Sequence, residues 1–133
     1  MSNPSGYIFQ NITLLESSFK RAALINFDSP PTPEILINTN HQEDGDKIVC
    51  TVKLSFKIIK DATELINFDC LYVGTFQKTG APKLDVKTFS TINAPSIMFP
   101  FVREYLAGVS LKAGLNPILL PPVNFAALGE KVK

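Results

Sequence analysis

The sequence predicts an α+β fold in which strands come first and helix comes last. Two patterns carry that expectation. Apolar residues recur with a period of two in separate runs between Tyr7 and Phe76, and they recur at helical spacing between Pro95 and Lys112. The length, 133 residues, fits one domain over 1–133 whose core needs neither metal nor disulfide staples.

Taken in order, Tyr7 to Lys20 reads as a first strand with imperfect alternation. Arg21 to Pro33 is a long crossover, because Pro30, Pro31 and Pro33 cannot sit in a central strand. It carries its own hydrophobes, Leu24, Ile25 and Phe27, as connections that pack over or bind something often do. Glu34 to Asn38 is a second strand with Ile35 and Ile37 on one side, and His41 to Asp46 turns it back through an Asp-Gly pair. Lys47 to Ile58 is the clearest strand: Ile48, Cys50, Val52, Leu54, Phe56 and Ile58 alternate with Val49, Thr51, Lys53, Ser55 and Lys57. A turn at Lys60 to Thr63 leads into Glu64 to Phe76, where Ile66, Phe68, Cys70, Tyr72 and Phe76 share a face. Centring that turn on Ala62 sets Phe56 opposite Phe68 and Leu54 opposite Cys70, so the two apolar faces coincide. The other face is only half polar, which predicts that it is covered as well.

Gln77 to Pro82 is a loop, and Asp85 to Ile92 forms a helical turn or two. Asn93 or Ala94 caps a helix from Pro95 to Lys112, and Gly114 is its C′ residue. Ile97, Phe101, Tyr105 and Val109 form one apolar face, widened by Met98 and Val102, while Pro100 predicts a kink.

Composition narrows the function. Thirteen basic against twelve acidic residues leave a net charge of +1, with no basic stripe for nucleic acid. Met1 to Gly6 lacks the basic and apolar regions of a secretion signal, and Pro100, Arg103 and Pro117 break every apolar run too early to span a bilayer. The expected compartment is the cytoplasm. A mean hydropathy of +0.14 and ten Phe exceed what a domain this size comfortably hides, which points to an oligomer interface, a ligand groove, or both.

Catalytic chemistry is hard to assemble. His41 is the one histidine and falls in a polar turn, so no nucleophile–histidine–carboxylate set exists without it. Cys50 and Cys70 fall on the apolar strand face as buried thiols, where a reactive thiolate would want an electropositive, accessible site. Glu43 to Asp46 lacks the ligand spacing of a calcium loop, and Gly74 and Gly80 are too far apart to cradle a phosphate. No metal, no cofactor and no enzyme activity are expected; a binding protein is.

Two segments sharpen that expectation. Asn93-Ala94-Pro95-Ser96-Ile97-Met98-Phe99-Pro100-Phe101-Val102-Arg103-Glu104 is followed, one helix later, by Leu120-Pro121-Pro122-Val123-Asn124-Phe125-Ala126-Ala127-Leu128. Together, in this order and spacing, they resemble the SecB family of protein-export chaperones. The softer matches, Ser18-Phe19 and Pro33-Glu34, extend the likeness over nearly the whole chain. The resemblance implies a four-stranded antiparallel sheet with a long helix and a short C-terminal helix, assembled as a dimer of dimers. It also implies an ATP-independent holdase that takes non-native polypeptides into a groove bounded by the crossover and the second helix. The matching groove positions are Phe27, Ile35, Ile37, Ile118, Leu120, Val123, Phe125 and Leu128. Glu16 and Asp69 match positions that dock the SecA motor, although Lys20 stands where the family has a third acidic residue. Ile97, Phe101 and Tyr105 are the candidate oligomer-interface residues. Gly129 is expected to end the second helix after Leu128, short of the family's length and acidic tail.

The implied clients are export precursors, or an antitoxin, since some SecB-like proteins serve toxin–antitoxin systems. Readings from other classes are a small apolar-ligand carrier and a structural subunit whose apolar surface is all interface.

Overall fold

The computed structural model describes residues 6–26 and 31–131, with side chains described through Leu128. Four strands, β1 (Gly6–Arg21), β2 (Glu34–Asp44), β3 (Lys47–Lys60) and β4 (Thr63–Thr79), form one sheet in the order β1-β4-β3-β2. All three pairings are antiparallel. β2, β3 and β4 make a meander, and β1 closes the far edge of β4.

The period of two in β3 becomes a buried row. Ile48, Cys50, Val52, Leu54 and Phe56 are all 3% exposed or less, and β4 answers with Ile66, Phe68, Cys70 and Phe76. Phe56 faces Phe68 and Leu54 faces Cys70 as expected, but the turn is centred between Asp61 and Ala62, with Lys60 paired to Thr63, and a bulge between Ile58 and Ile59 supplies the one-residue shift. Asp61 and Ala62 hold φ of 53° and 64°, the pair of positive values that matches the strand twist of a tight hairpin. The β2–β3 turn is tighter than expected. Only Gly45 and Asp46 turn, with Gly45 at φ +61°, so β2 continues to Asp44 and takes His41 into the strand. Glycine at the first turn position suffices for a two-residue loop, and the flanking polar residues are left free to pair.

The helical layer starts earlier than Pro95. α1 (Val86–Thr88) runs into a π-helical turn (Phe89–Asn93) and then α2 (Ala94–Lys112) without a break. Asn93 is therefore helical (φ −74°, ψ −48°) and makes no side-chain cap. Pro95 has no N–H to donate, and the wide turn lies directly before that gap in the ladder. The other end is as expected: Gly114 (φ +77°) is the C′ residue. Its N–H donates to Leu111 O, and that of Leu115 donates to Ser110 O, both at 3.0 Å, the double bond of a Schellman ending. Arg21 Nη1, from the end of β1, donates to Ala113 O at 2.7 Å.

α2 lays Met98, Val102 and Leu106 on the sheet as part of a single core. Gly74 on β4 makes the approach possible, since a Cβ there would lie 2.8 Å from Met98 Sδ. On the other sheet face, Val49, Thr51, Leu71 and Val73 are half-buried, and none joins the core. The described part of the chain supplies no cover for that face.

Candidate functional site

The side of the helical layer next to β2 is built by chain without regular structure. After α2 the residues from Leu115 to Asn124 form neither helix nor strand. Ser110, itself fully buried, holds this segment in place. Its hydroxyl donates to Ala107 O at 2.8 Å and accepts the Ile118 N–H at 2.9 Å. Leu115 and Leu120 anchor the segment in the core. α3 (Phe125–Lys131) then starts at Asn124, whose side-chain oxygen accepts the Ala127 N–H at 3.1 Å, an N-cap bond. Phe125 packs edge-on against Phe99 of α2 at 5.7 Å. The π-helical turn touches both α3 and β2, which places α3 on the β2 side of the layer.

The expected groove residues divide. Ile35, Ile37, Ile118, Val123 and Leu128 are half-buried at the margin of the core and keep part of their surface open. Leu120 and Phe125, each 3% exposed, are core residues. They hold the wall from behind and offer nothing to a ligand, because the irregular segment needs apolar anchors to compensate for its lack of backbone ladder. Phe27 lies outside the described residues. Two leucines outside that set are more exposed than any of them: Leu119 at 77% and Leu24 at 90%. The signal for Leu119 was its place between Ile118 and Leu120, where neighbours in extended chain point apart. α3 also continues through Gly129 to Lys131, against the expectation that Gly129 stops it. A single glycine costs a helix only about 1 kcal/mol.

On the opposite sheet face, Glu16 and Asp69 line one shallow hollow together with Ser18 and Lys53. The β1–β4 register puts Ser18 beside Asp69 and Glu16 beside Leu71, so the two carboxylates are near neighbours on adjacent strands, and Lys53 of β3 stands on the far side of Leu71. Lys20 pairs with Asn67 on the same strands. On α2, Ile97 and Phe101 are exposed, whereas Tyr105 is tied inward. The Tyr105 hydroxyl is 2.6 Å from Ser17 Oγ, and its ring stands edge-on to Phe68 and Tyr72. The helix thus turns its Met98–Val102–Leu106 stripe to the sheet and leaves Ile97 and Phe101 partly open, with the Phe101 ring edge-on to Phe9 of β1 at 6.0 Å.

The two thiols are buried, and burial pushes each up to about 11. His41 is half-buried in β2, with its backbone N–H donating to Asn40 Oδ1 at 2.8 Å. Among the described residues no cluster of three His, Cys, Asp or Glu could hold a metal ion. Among the described residues no helix is long and apolar enough to cross a membrane.

Comparison with known proteins gives these features a context. Residues 12–132 match the family described as preprotein translocase subunit SecB. The protein-export protein SecB of Neisseria gonorrhoeae is 33% identical over 104 residues, covering 76% of this chain and 70% of that protein. Those of Methylocella silvestris and Magnetococcus marinus are 29% and 31% identical over 76% of this chain, which spans 63% and 66% of their lengths. Among solved structures, the SecB-like chaperone of Mycobacterium tuberculosis in complex with a ChAD peptide from an antitoxin superposes with a TM-score of 0.75. Its identity is 14%, with 88% of this chain and 90% of that chain covered, so the likeness is one of fold. A match across nearly the whole sheet and helical layer, with relatives above 30% identity, settles kinship: the chain belongs to the SecB family.

Proposed function

We propose that this protein is an ATP-independent chaperone that holds non-native polypeptides for export and catalyses no reaction. The observation that carries the reading is the open apolar margin beside β2. Ile35, Ile37, Ile118, Val123 and Leu128 keep part of their surface accessible there, and Leu119 stands almost free. Apolar surface of this kind gains free energy by covering the side chains an unfolded client exposes, at roughly 25 cal/mol per Å2 buried. Family membership supports the cytoplasm as the place of work and the dimer of dimers as the working form. Within that assembly, Ile97 and Phe101 are the residues we assign to contacts between copies, and Glu16 and Asp69 those we assign to SecA.

The deciding measurement is suppression of aggregation of an unfolded client at stoichiometric ratio without nucleotide. Full aggregation in the presence of the correctly assembled protein would remove the reading. An antitoxin as dedicated client is the second reading, favoured by the peptide in the M. tuberculosis structure. A toxin–antitoxin pair next to the coding sequence would select it.

A further inference from the structure

Two irregular stretches, the crossover after β1 and the chain after α2, start from one point. Arg21 ends β1 opposite Ile66 of β4, Ile66 faces Ile58 of β3, and the neighbouring Lys57 faces Glu34, the first residue of β2. The crossover therefore leaves the β1 edge and enters β2 at the same end of the sheet. α2 brings its C-terminus to Arg21 at that end too. From there the chain between Leu115 and Asn124 leads to α3 on the β2 side.

One guanidinium holds both departures. Arg21 Nη1 donates to Ala113 O at 2.7 Å, Nε to Ala22 O at 2.9 Å, and Nη2 to Ala23 O at 3.4 Å. A Cβ on Gly114 would lie 3.8 Å from Nη1, so the fork rests against the turn that closes α2. Among the described residues the one ion pair is Lys78–Asp46. The Arg21 charge is met there by carbonyl oxygens, at a helix end that favours a cation. A planar fork can serve three acceptors in fixed directions, and an ammonium cannot. Beyond the knot the two stretches are built alike. Ile25 and Ile118 rest against the core, while Leu24 and Leu119 stand out into solvent.

Resting on the holdase reading, we propose that Arg21 is a positioning residue for client binding: it ties the crossover and the chain after α2 to one helical turn, so that the apolar side chains of both stand at a set spacing before a client arrives. Arg21 itself touches no client. The ties continue on either side of it. The Ala22 N–H donates to Leu65 O at 2.9 Å, the Leu115 N–H to Ser110 O at 3.0 Å, and the Ile118 N–H to Ser110 Oγ at 2.9 Å. Stretches held this way spare a client the entropy of ordering them, and stretches cut loose charge that entropy to binding.

The test joins backbone amide exchange by NMR to binding of reduced carboxymethylated α-lactalbumin, both on the full-length protein. In the wild type the Ala22, Leu115 and Ile118 amides should open as one unit, with protection factors within about threefold of each other. Arg21→Lys keeps the charge and loses the fork. It should speed those three amides about tenfold more than it speeds the core amides of Val52 and Leu54. It should also weaken probe binding roughly five- to thirtyfold, the cost of ordering one or two residues at contact. Gly74→Ala crowds Met98 and leaves both stretches alone, so it should lower the urea midpoint yet bind probe as wild type does. Wild-type amides that open at unrelated rates overturn the inference while the holdase reading stands, and that result needs no variant to fold. So does undiminished probe binding in Arg21→Lys, or a loss in Gly74→Ala as large as in Arg21→Lys. A wild type that binds no probe removes the reading and the inference together.

Discussion

Single buried hydroxyls and thiols decide more here than their size suggests. Ser110 Oγ is the acceptor for the Ile118 N–H, so Ser110→Ala leaves that donor without a protein partner. The expected cost is about 1–3 kcal/mol, measured as a lower urea midpoint, with faster exchange at the Ile118 amide as its local signature. The thiols set a pH limit. Cys50 and Cys70 are raised to about 11 from an ordinary 9.0, chiefly by burial, so the folded protein holds their protons more tightly than the unfolded chain does. That contribution to stability is complete below pH 9 and is lost as pH rises from about 9 towards 11. Denaturation midpoints across this range should fall, and fall less in Cys50→Ala.

At the level of elements, the contact between α2 and β4 turns on Gly74. A methyl group there meets Met98 Sδ at 2.8 Å, so the fully buried end of the Met98 side chain must shift to admit it. Gly74→Ala should cost about 1–3 kcal/mol by overpacking, and Met98→Ala in the same chain should recover part of it, as a double-mutant cycle will show. The strands were legible in the sequence because a two-residue period is a direct image of a sheet face, and matching the apolar faces set Phe56 opposite Phe68, whereas the bulge at Ile58 and Ile59 that makes this register compatible with the two-residue turn was not legible. The helix was legible in extent but not in orientation. Ile97, Phe101 and Tyr105 share a face as surely as Met98, Val102 and Leu106 do, and helical spacing cannot say which face meets the sheet. Gly74 and Met98 do say so, but only once the strand is in place. The proposed groove was half legible: its residues were apolar, yet the same letters describe a core anchor such as Phe125 and a half-open residue such as Val123.

For the whole molecule, the outward stripe of α2 is where copies should meet. Ile97→Glu with Phe101→Glu should leave the circular dichroism spectrum intact, since both residues are exposed, and should reduce the mass seen by light scattering. An unchanged mass would move the interface elsewhere on the surface. The strand order has a further effect, on the ribosome. β2, β3 and β4 can zip up in the order in which they emerge, but β1, made first, has no partner until β4 exists: Arg21 waits for Ile66, and Gly6 waits for Thr79. At roughly 5–20 residues per second, that is several seconds with Ile8, Phe9, Leu14 and Leu15 unpaired in the nascent chain. A chaperone of the kind proposed above must first pass through the condition it would relieve in others.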